Sequence, residues 1–321
     1  MQMTVGTEEP RTDGKSPSPP DVAERITSSV TNALAHVAND AGAAAVFAYA
    51  DALPDRCLPL QDGFEPRVIF VTKTHEQDVE QEEEGHPTIR VPNVSLSRLG
   101  QIKVAVLLAL SRQLIEPDDV IVCLTGAAGS GSLDMLLVMR VCDEFGNLFD
   151  SDCINTVNGD TQPDVLERVI NIAAELGSEG REGKPVGGMF VLGDTEHVAP
   201  LTRQLILNPF RGYAENERNI LDSQLEETVK ELASIDGAFI IRGDGVIESA
   251  GTYLKAAMQA DADLPAGLGA RHQAAAAITN LTNCVAVTLS ESTGTVSVFR
   301  GGQIVTELEK PRSQAERREV A

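Results

Sequence analysis

One property limits the possible folds of this chain more than any other. Through its first half, short apolar runs alternate with longer amphipathic ones. AAAVFAYA (43–50), RVIFVT (67–72), TIRVP (88–92) and DDVIVCLTG (118–126) read as buried strands. Residues 21–40 repeat Ile26, Val30, Leu34 and Val37 at helical spacing, with Asp21 as the candidate N-cap. Residues 96–115 and 133–145 read as two further helices. Such alternation predicts an α/β layer whose strands run mainly parallel. The glycine-rich turn GAAGSGS (126–132) would join the fourth strand to a helix. Such a turn can cradle a phosphate or simply make a tight connection, and it lacks the Lys-Ser/Thr ending of a P-loop.

The pattern changes after FDSDCINTVNGDTQPD (149–164), which is polar and turn-rich, so a domain boundary belongs there. Pro163 suits the first turn of a helix over 165–180 that ends in glycine. GGMFVLGD (187–194) reads as a strand, 201–213 as a crossing segment stopping at Pro209, and 219–235 as an amphipathic helix. Gly243-Asp244-Gly245 between two short apolar runs signals a hairpin. A helix over 270–282 and three closing strands, CVAVTLS, TVSVFR and GQIVTEL, complete a mixed sheet surrounded by helices. The predicted organisation is a disordered tail (1–20), an α/β domain (21–150), a mixed-sheet domain (151–310) and a charged tail (311–321).

Composition narrows the function. The length of 321 residues suits two ordinary domains. Tryptophan is absent and aromatics are 4%, so the cores must be aliphatic. A net charge of −22 repels DNA and anionic membranes, which argues against nucleic-acid and membrane partners. The same charge fits either a salt-adapted proteome or ordinary solubility. The acidic run 76–85 reads as a solvated face. The five cysteines (Cys57, Cys123, Cys142, Cys153, Cys284) have no metal-ligand spacing. No apolar leader or membrane-length run occurs. A soluble, cytoplasmic protein with reduced thiols is expected.

Two stretches of the last third carry chemistry. Asp236-Gly237-Ala238 sets a carboxylate beside two small residues where an apolar run begins. Gly269-Ala270-Arg271-His272 sets an arginine and a histidine at the first turn of an alanine-rich helix. A helix start offers free N–H groups and the positive end of a dipole, and an arginine fork matches phosphate oxygens. Asp236 can hold a divalent cation or orient a hydroxyl. Acid, small backbone, basic pair and helix start together read as a nucleoside triphosphate site.

These residues also carry a resemblance. Residues 184–310 resemble a diadenylate cyclase domain, whose Asp-Gly-Ala motif is matched by Asp236-Gly237-Ala238. Its Gly-Thr-Arg-His-Arg motif is matched by Gly269-Ala270-Arg271-His272-Gln273. Two positions depart: Ala270 replaces threonine, and Gln273, which brings no charge, replaces the second arginine. GKPVGGMFVLGD (183–194) is similar to the family's first strand and LSESTGTVSVFRGG (289–302) to its closing strands. Residues 22–150 resemble the carboxy-terminal domain of pyruvate kinase, in the version fused ahead of archaeal-type diadenylate cyclases.

The resemblance implies condensation of two ATP into cyclic di-AMP and two pyrophosphates, with Mn2+ or Mg2+. It implies that Asp236 binds metal and activates the attacking hydroxyl, that Arg271 holds phosphates, and that His272 contacts phosphate or metal. Gly237 and Ala238 would let the nucleotide approach the backbone. Ser290 and Glu291 would close over the triphosphate tail. Tyr253 and Leu254, placed in a loop after the hairpin, would flank the adenine. A two-fold symmetric product from one site per chain implies a face-to-face homodimer, with a larger homo-oligomer open to the first domain. The alternatives are a nucleotide sensor that has lost turnover, favoured by Ala270 and Gln273, and a scaffold.

Overall fold

A computed structural model describes residues 22–52, 58, 66–73, 86–126, 130–144, 159–258 and 269–309. The expected tails, Asp21, the acidic run 76–85, and Cys57 and Cys153 lie outside the described residues.

The first half is an α/β layer. Strands β1 (Ala45–Tyr49), β2 (Arg67–Thr72), β3 (Thr88–Arg90), β4 (Val120–Thr125) and β5 (Met135–Arg140) form one sheet in the order β3-β2-β1-β4-β5. The first four run parallel and β5 runs antiparallel at the edge. Side chains alternate across a strand, so each face needs its own cover. Helix α1 (Val22–Asp40) covers Val46, Ala48, Val68, Phe70, Val122 and Leu124 with Leu34 and Ala38. Helix α2 (Arg98–Ser111) covers Phe47, Tyr49, Ile69, Val71, Ile121 and Cys123. Ser97 starts α2 by accepting from the Gly100 N–H at 3.0 Å, which satisfies one free donor of the first turn.

The expected helix over 133–145 is corrected to strand β5 followed by a single helical turn, Val141–Glu144. Leucine and methionine favour helix intrinsically, but the free edge of β4 offers six paired positions, and tertiary pairing overrides that preference. The 126–132 turn therefore leads into a strand. Among the described residues no helix start follows it directly to receive a phosphate. Ala127, Ala128 and Gly129 lie outside the described residues.

The second half is a seven-stranded mixed sheet. Its strands are β6 (Gly188–Leu192), β7 (Thr202–Gln204), β8 (Ala238–Ile241), β9 (Ile247–Leu254), β10 (Val285–Leu289), β11 (Val296–Arg300) and β12 (Gln303–Leu308), in the order β12-β11-β10-β6-β8-β9-β7. Among the described residues of this sheet, only β6 and β8 pair in parallel. One face is covered by α3 (Pro163–Glu179), which has proline at its N-terminal turn and glycine at its C-cap, and by α4 (Glu226–Leu232). The expected helix over 219–235 is shorter than predicted. Asn219 and Asp222 turn their side chains onto nearby backbone N–H groups, which holds that stretch in turns until Glu226. The other face is covered by α5 (Ala270–Leu281), whose Ala275, Ala276, Ala277 and Ile278 pack on Met189, Val191, Ile240 and Phe299.

The two sheets share a core. Helix α2 packs on β12 and α3, and one continuous apolar cluster runs from β1 through α2 to β6 and β10. Arg112, at the end of α2, ties the halves by bonding Glu167 at 2.7 Å, Asp164 at 3.2 Å and the Thr88 carbonyl at 3.1 Å.

Candidate active site

The start of β8, the end of β9, the first turn of α5 and the turn after β10 meet at one end of the second sheet. They enclose a cleft of about 1390 Å³. All twelve residues expected at the site border it: Asp236, Gly237, Ala238, Tyr253, Leu254, Gly269, Ala270, Arg271, His272, Gln273, Ser290 and Glu291.

Gly237 puts Asp236 at the cleft mouth. Its φ is +112°, and a Cβ there would lie 2.6 Å from the backbone of Gly251 and Thr252. Only glycine lets β8 cross β9 so closely. The Asp236 side chain is 93% exposed. Arg271 stands between two carboxylates, with Nη2 3.6 Å from Asp236 and Nη1 3.5 Å from Glu291. These are loose ion pairs rather than a bidentate fork, so the guanidinium can turn to an incoming anion at little cost. Gly187 makes room for it, since a methyl there would overlap the guanidinium.

Gly269 caps α5 with no side-chain bond, and the His272 and Gln273 N–H groups both donate to its carbonyl, which leaves the N–H groups of Ala270 and Arg271 as the donors of the first turn with no partner among the described residues. Ala270 and Gln273 are exposed on that turn. His272 is 9% exposed, packs edge-on against Phe299 at 5.7 Å and lies with Nε2 3.3 Å from Ser297 Oγ. Burial lowers its pKa, with the Glu307 charge acting the other way. The 290–295 turn adds hydroxyls. Ser290 and Ser292 Oγ lie 3.3 Å apart, and Thr293 donates to Thr295 at 2.9 Å.

Tyr253 and Leu254 are corrected from a loop to the end of strand β9. The run IESAGTYL pairs with both β7 and β8, and this extends it past the hairpin. Leu254 is 4% exposed and packs in the layer under α5, while Tyr253 carries the Arg203 guanidinium 4.8 Å from its ring centre.

Sequence reasoning missed several cleft residues, among them Thr252, Thr293, Thr295, Glu307 and Glu309. The two glutamates alternate with Leu308 at the end of the last strand, a signal that one face of β12 is polar. Among the described residues of the lining, four carboxylates (Asp236, Glu291, Glu307, Glu309) accompany one guanidinium. Among the described residues no three metal-ligating side chains cluster. The donors present suit a hard divalent cation that arrives with phosphates and takes one or two carboxylates from the protein, as magnesium and manganese do. Among the described residues no helix is long and apolar enough to cross a membrane.

Fold and cleft together define an α/β protein with a polar cleft at a helix start. Residues 175–304 match the family profile described as DisA bacterial checkpoint controller nucleotide-binding, and residues 27–149 match a probable sensor domain, DacZ_P. A diadenylate cyclase of Haloferax volcanii is 37% identical over 202 residues, 63% of this chain and 72% of that one. The chain belongs to the diadenylate cyclase family. A Methanocaldococcus jannaschii diadenylate cyclase is 41% identical over 206 residues, 64% of each chain, so the match spans less than two thirds of that relative. The crystal structure of a Staphylococcus aureus DacA double mutant aligns at 21% identity, over 49% of this chain and 91% of that one, with a TM-score of 0.29.

Proposed function

We propose that this protein condenses two ATP into cyclic di-AMP and two pyrophosphates, at a site that two copies complete face to face. The observation that carries this reading is the convergence of Asp236 and the Arg271 helix start in one cleft. The 3′-hydroxyl of each nucleotide must attack the α-phosphorus of the other, in line with the departing pyrophosphate. In this reading Asp236 orients the hydroxyl and takes its proton. Arg271, the N–H groups of Ala270 and Arg271 at the start of α5, and the hydroxyls of Ser290 and its turn hold the triphosphate and stabilise the leaving charge. Gly237 and Ala238 let the nucleotide lie against the backbone, and Tyr253 with Leu254 borders the adenine.

ATP is itself strongly anionic, and among the described residues the cleft offers four carboxylates to one guanidinium. A divalent cation bound with the triphosphate would offset that repulsion and polarise the phosphates; Asp236 and Glu291, flanking Arg271, are the carboxylates that would hold it. His272 has given Nε2 to Ser297, so its contact with metal or phosphate falls to Nδ1.

A second copy is required by the product. Each chain offers one Asp236 and one Arg271, whereas cyclic di-AMP has two equivalent phosphodiesters, so two clefts must face each other across a two-fold axis. Specific activity should rise steeply with protein concentration around the dimer dissociation constant. Constant specific activity through a dilution series in which the protein is shown to be monomeric would reject the shared site. The uncharged Gln273 on the exposed first turn supports a second reading, a sensor that binds nucleotide without turnover.

A further inference from the structure

A polar row crosses the second sheet beneath the start of α5, where its neighbours are apolar. Thr288 on β10 stands opposite Ser297 on β11, and Ser297 stands opposite Glu307 on β12. Thr288 and Ser297 are both 0% exposed. Polar side chains are seldom buried so completely without a task, structural or functional.

The hydrogen bonds of this row have a fixed direction. Ser297 Oγ donates to Glu307 Oε1 at 3.1 Å. The carboxylate offers only acceptors, and a serine hydroxyl has one proton to give. With that proton committed, Ser297 Oγ can only accept from His272 Nε2, 3.3 Å away. Nε2 must therefore carry the ring hydrogen, and a neutral imidazole then holds its lone pair on Nδ1. Burial favours the neutral ring. Among the described residues no group bonds Nδ1, and His272 borders the cleft.

We propose that Ser297 and Glu307 are positioning residues. Their two hydrogen bonds hold His272 as the Nε2–H tautomer and leave Nδ1 unprotonated as a ligand for the divalent cation that accompanies ATP. The cation comes from the cyclase reading above, whereas the tautomer belongs to the protein alone. Outer partners of a ligating histidine fix its tautomer and orientation in the same way, and losing them costs about 10–100-fold in metal affinity or activity.

The test reads the tautomer directly. The full chain, labelled with nitrogen-15 histidine, is examined without nucleotide or metal by long-range proton–nitrogen spectra. The His272 signals are identified by their loss in His272→Gln. Wild type should show hydrogen on Nε2. Glu307→Ala, an exposed change on an edge strand, frees the serine proton to point at the ring, and the tautomer should shift toward Nδ1–H. Ser297→Ala should lose the preference, and Ser297→Thr, which keeps the hydroxyl, should restore it. In turnover assays Ser297→Ala should raise the manganese concentration for half-maximal rate about 10–100-fold, with KM for ATP at saturating manganese little changed. Hydrogen on Nδ1 in wild type, or a tautomer unmoved in Glu307→Ala, overturns the proposal. So does an unchanged manganese requirement in a folded Ser297→Ala. If the protein makes no cyclic di-AMP at all, the tautomer result still stands by itself.

Discussion

Asp194 and His197 show how much one exposed histidine and its largely buried partner can report. Asp194 closes β6 in a left-handed conformation (φ 46°), accepts from the Asn283 N–H at 2.7 Å and bonds His197 Nδ1. The hydrogen bond and charge of Asp194 raise the pKa of His197 above its usual value. A raised pKa means that the folded state binds the proton more tightly than the unfolded one. The pair's contribution is therefore fully present below about pH 6.5, the unfolded value, and is lost as pH rises through the folded pKa. Urea unfolding at a series of pH values from 5.5 to about 8.5 should show that component in wild type and not in His197→Gln. An identical pH slope in the two proteins would show that the pair contributes nothing. That Asp236, Arg271 and His272 border one cleft was legible, because they sit in short motifs that keep the same residue types whatever the packing. Glu307 was not legible as their neighbour, because its approach to Ser297 depends on the β11–β12 register, which linear spacing does not show.

At the level of elements, α3 reaches the cleft without bordering it. Gly177, in its last turn, would place a Cβ 2.6 Å from the Gly294 carbonyl and 2.9 Å from Leu289 Cδ1. Helix propensity alone favours Gly177→Ala by about 1 kcal/mol. Forcing a methyl against backbone costs about 1–3 kcal/mol, so overpacking should win. Gly177→Ala is predicted to lower stability in urea unfolding and to raise KM for ATP, because the 290–295 turn carries Ser290 and Glu291. A more stable protein with unchanged KM would show that the turn yields freely. The strand–helix alternation made most elements readable. It failed at β5, where leucine and methionine suit a helix until the open edge of β4 is available. It failed again before α4, where Asn219 and Asp222 hold the backbone in turns.

For the whole molecule, we propose the division into 21–150 and 151–310 as two domains that fold as one cooperative unit. The apolar cluster running through α2 into the second sheet supports cooperativity. So does Arg112, which bonds Glu167, whose side chain is 9% exposed. Calorimetry should show a single transition, and two resolved transitions would separate the halves. Arg112→Ala removes charge-assisted bonds across the junction and should cost about 1–3 kcal/mol in urea unfolding. A change within about 0.5 kcal/mol would mark the contact as a surface pair. This junction was not legible in the sequence. The polar stretch before α3 signalled a boundary, while α2 carries apolar residues on nearly every side and so can pack against both halves.

Asp236 and the Arg271 helix start, doubled by two-fold symmetry, are proposed to join two adenylates. The most direct measurement incubates the full chain with ATP and manganese and identifies the products by chromatography and mass. Wild type should release cyclic di-AMP with two pyrophosphates for each molecule formed. Asp236→Asn should still bind ATP but turn over at least about 100-fold more slowly. Binding of ATP by wild type without any cyclic di-AMP, or undiminished synthesis by Asp236→Asn, would rule that chemistry out.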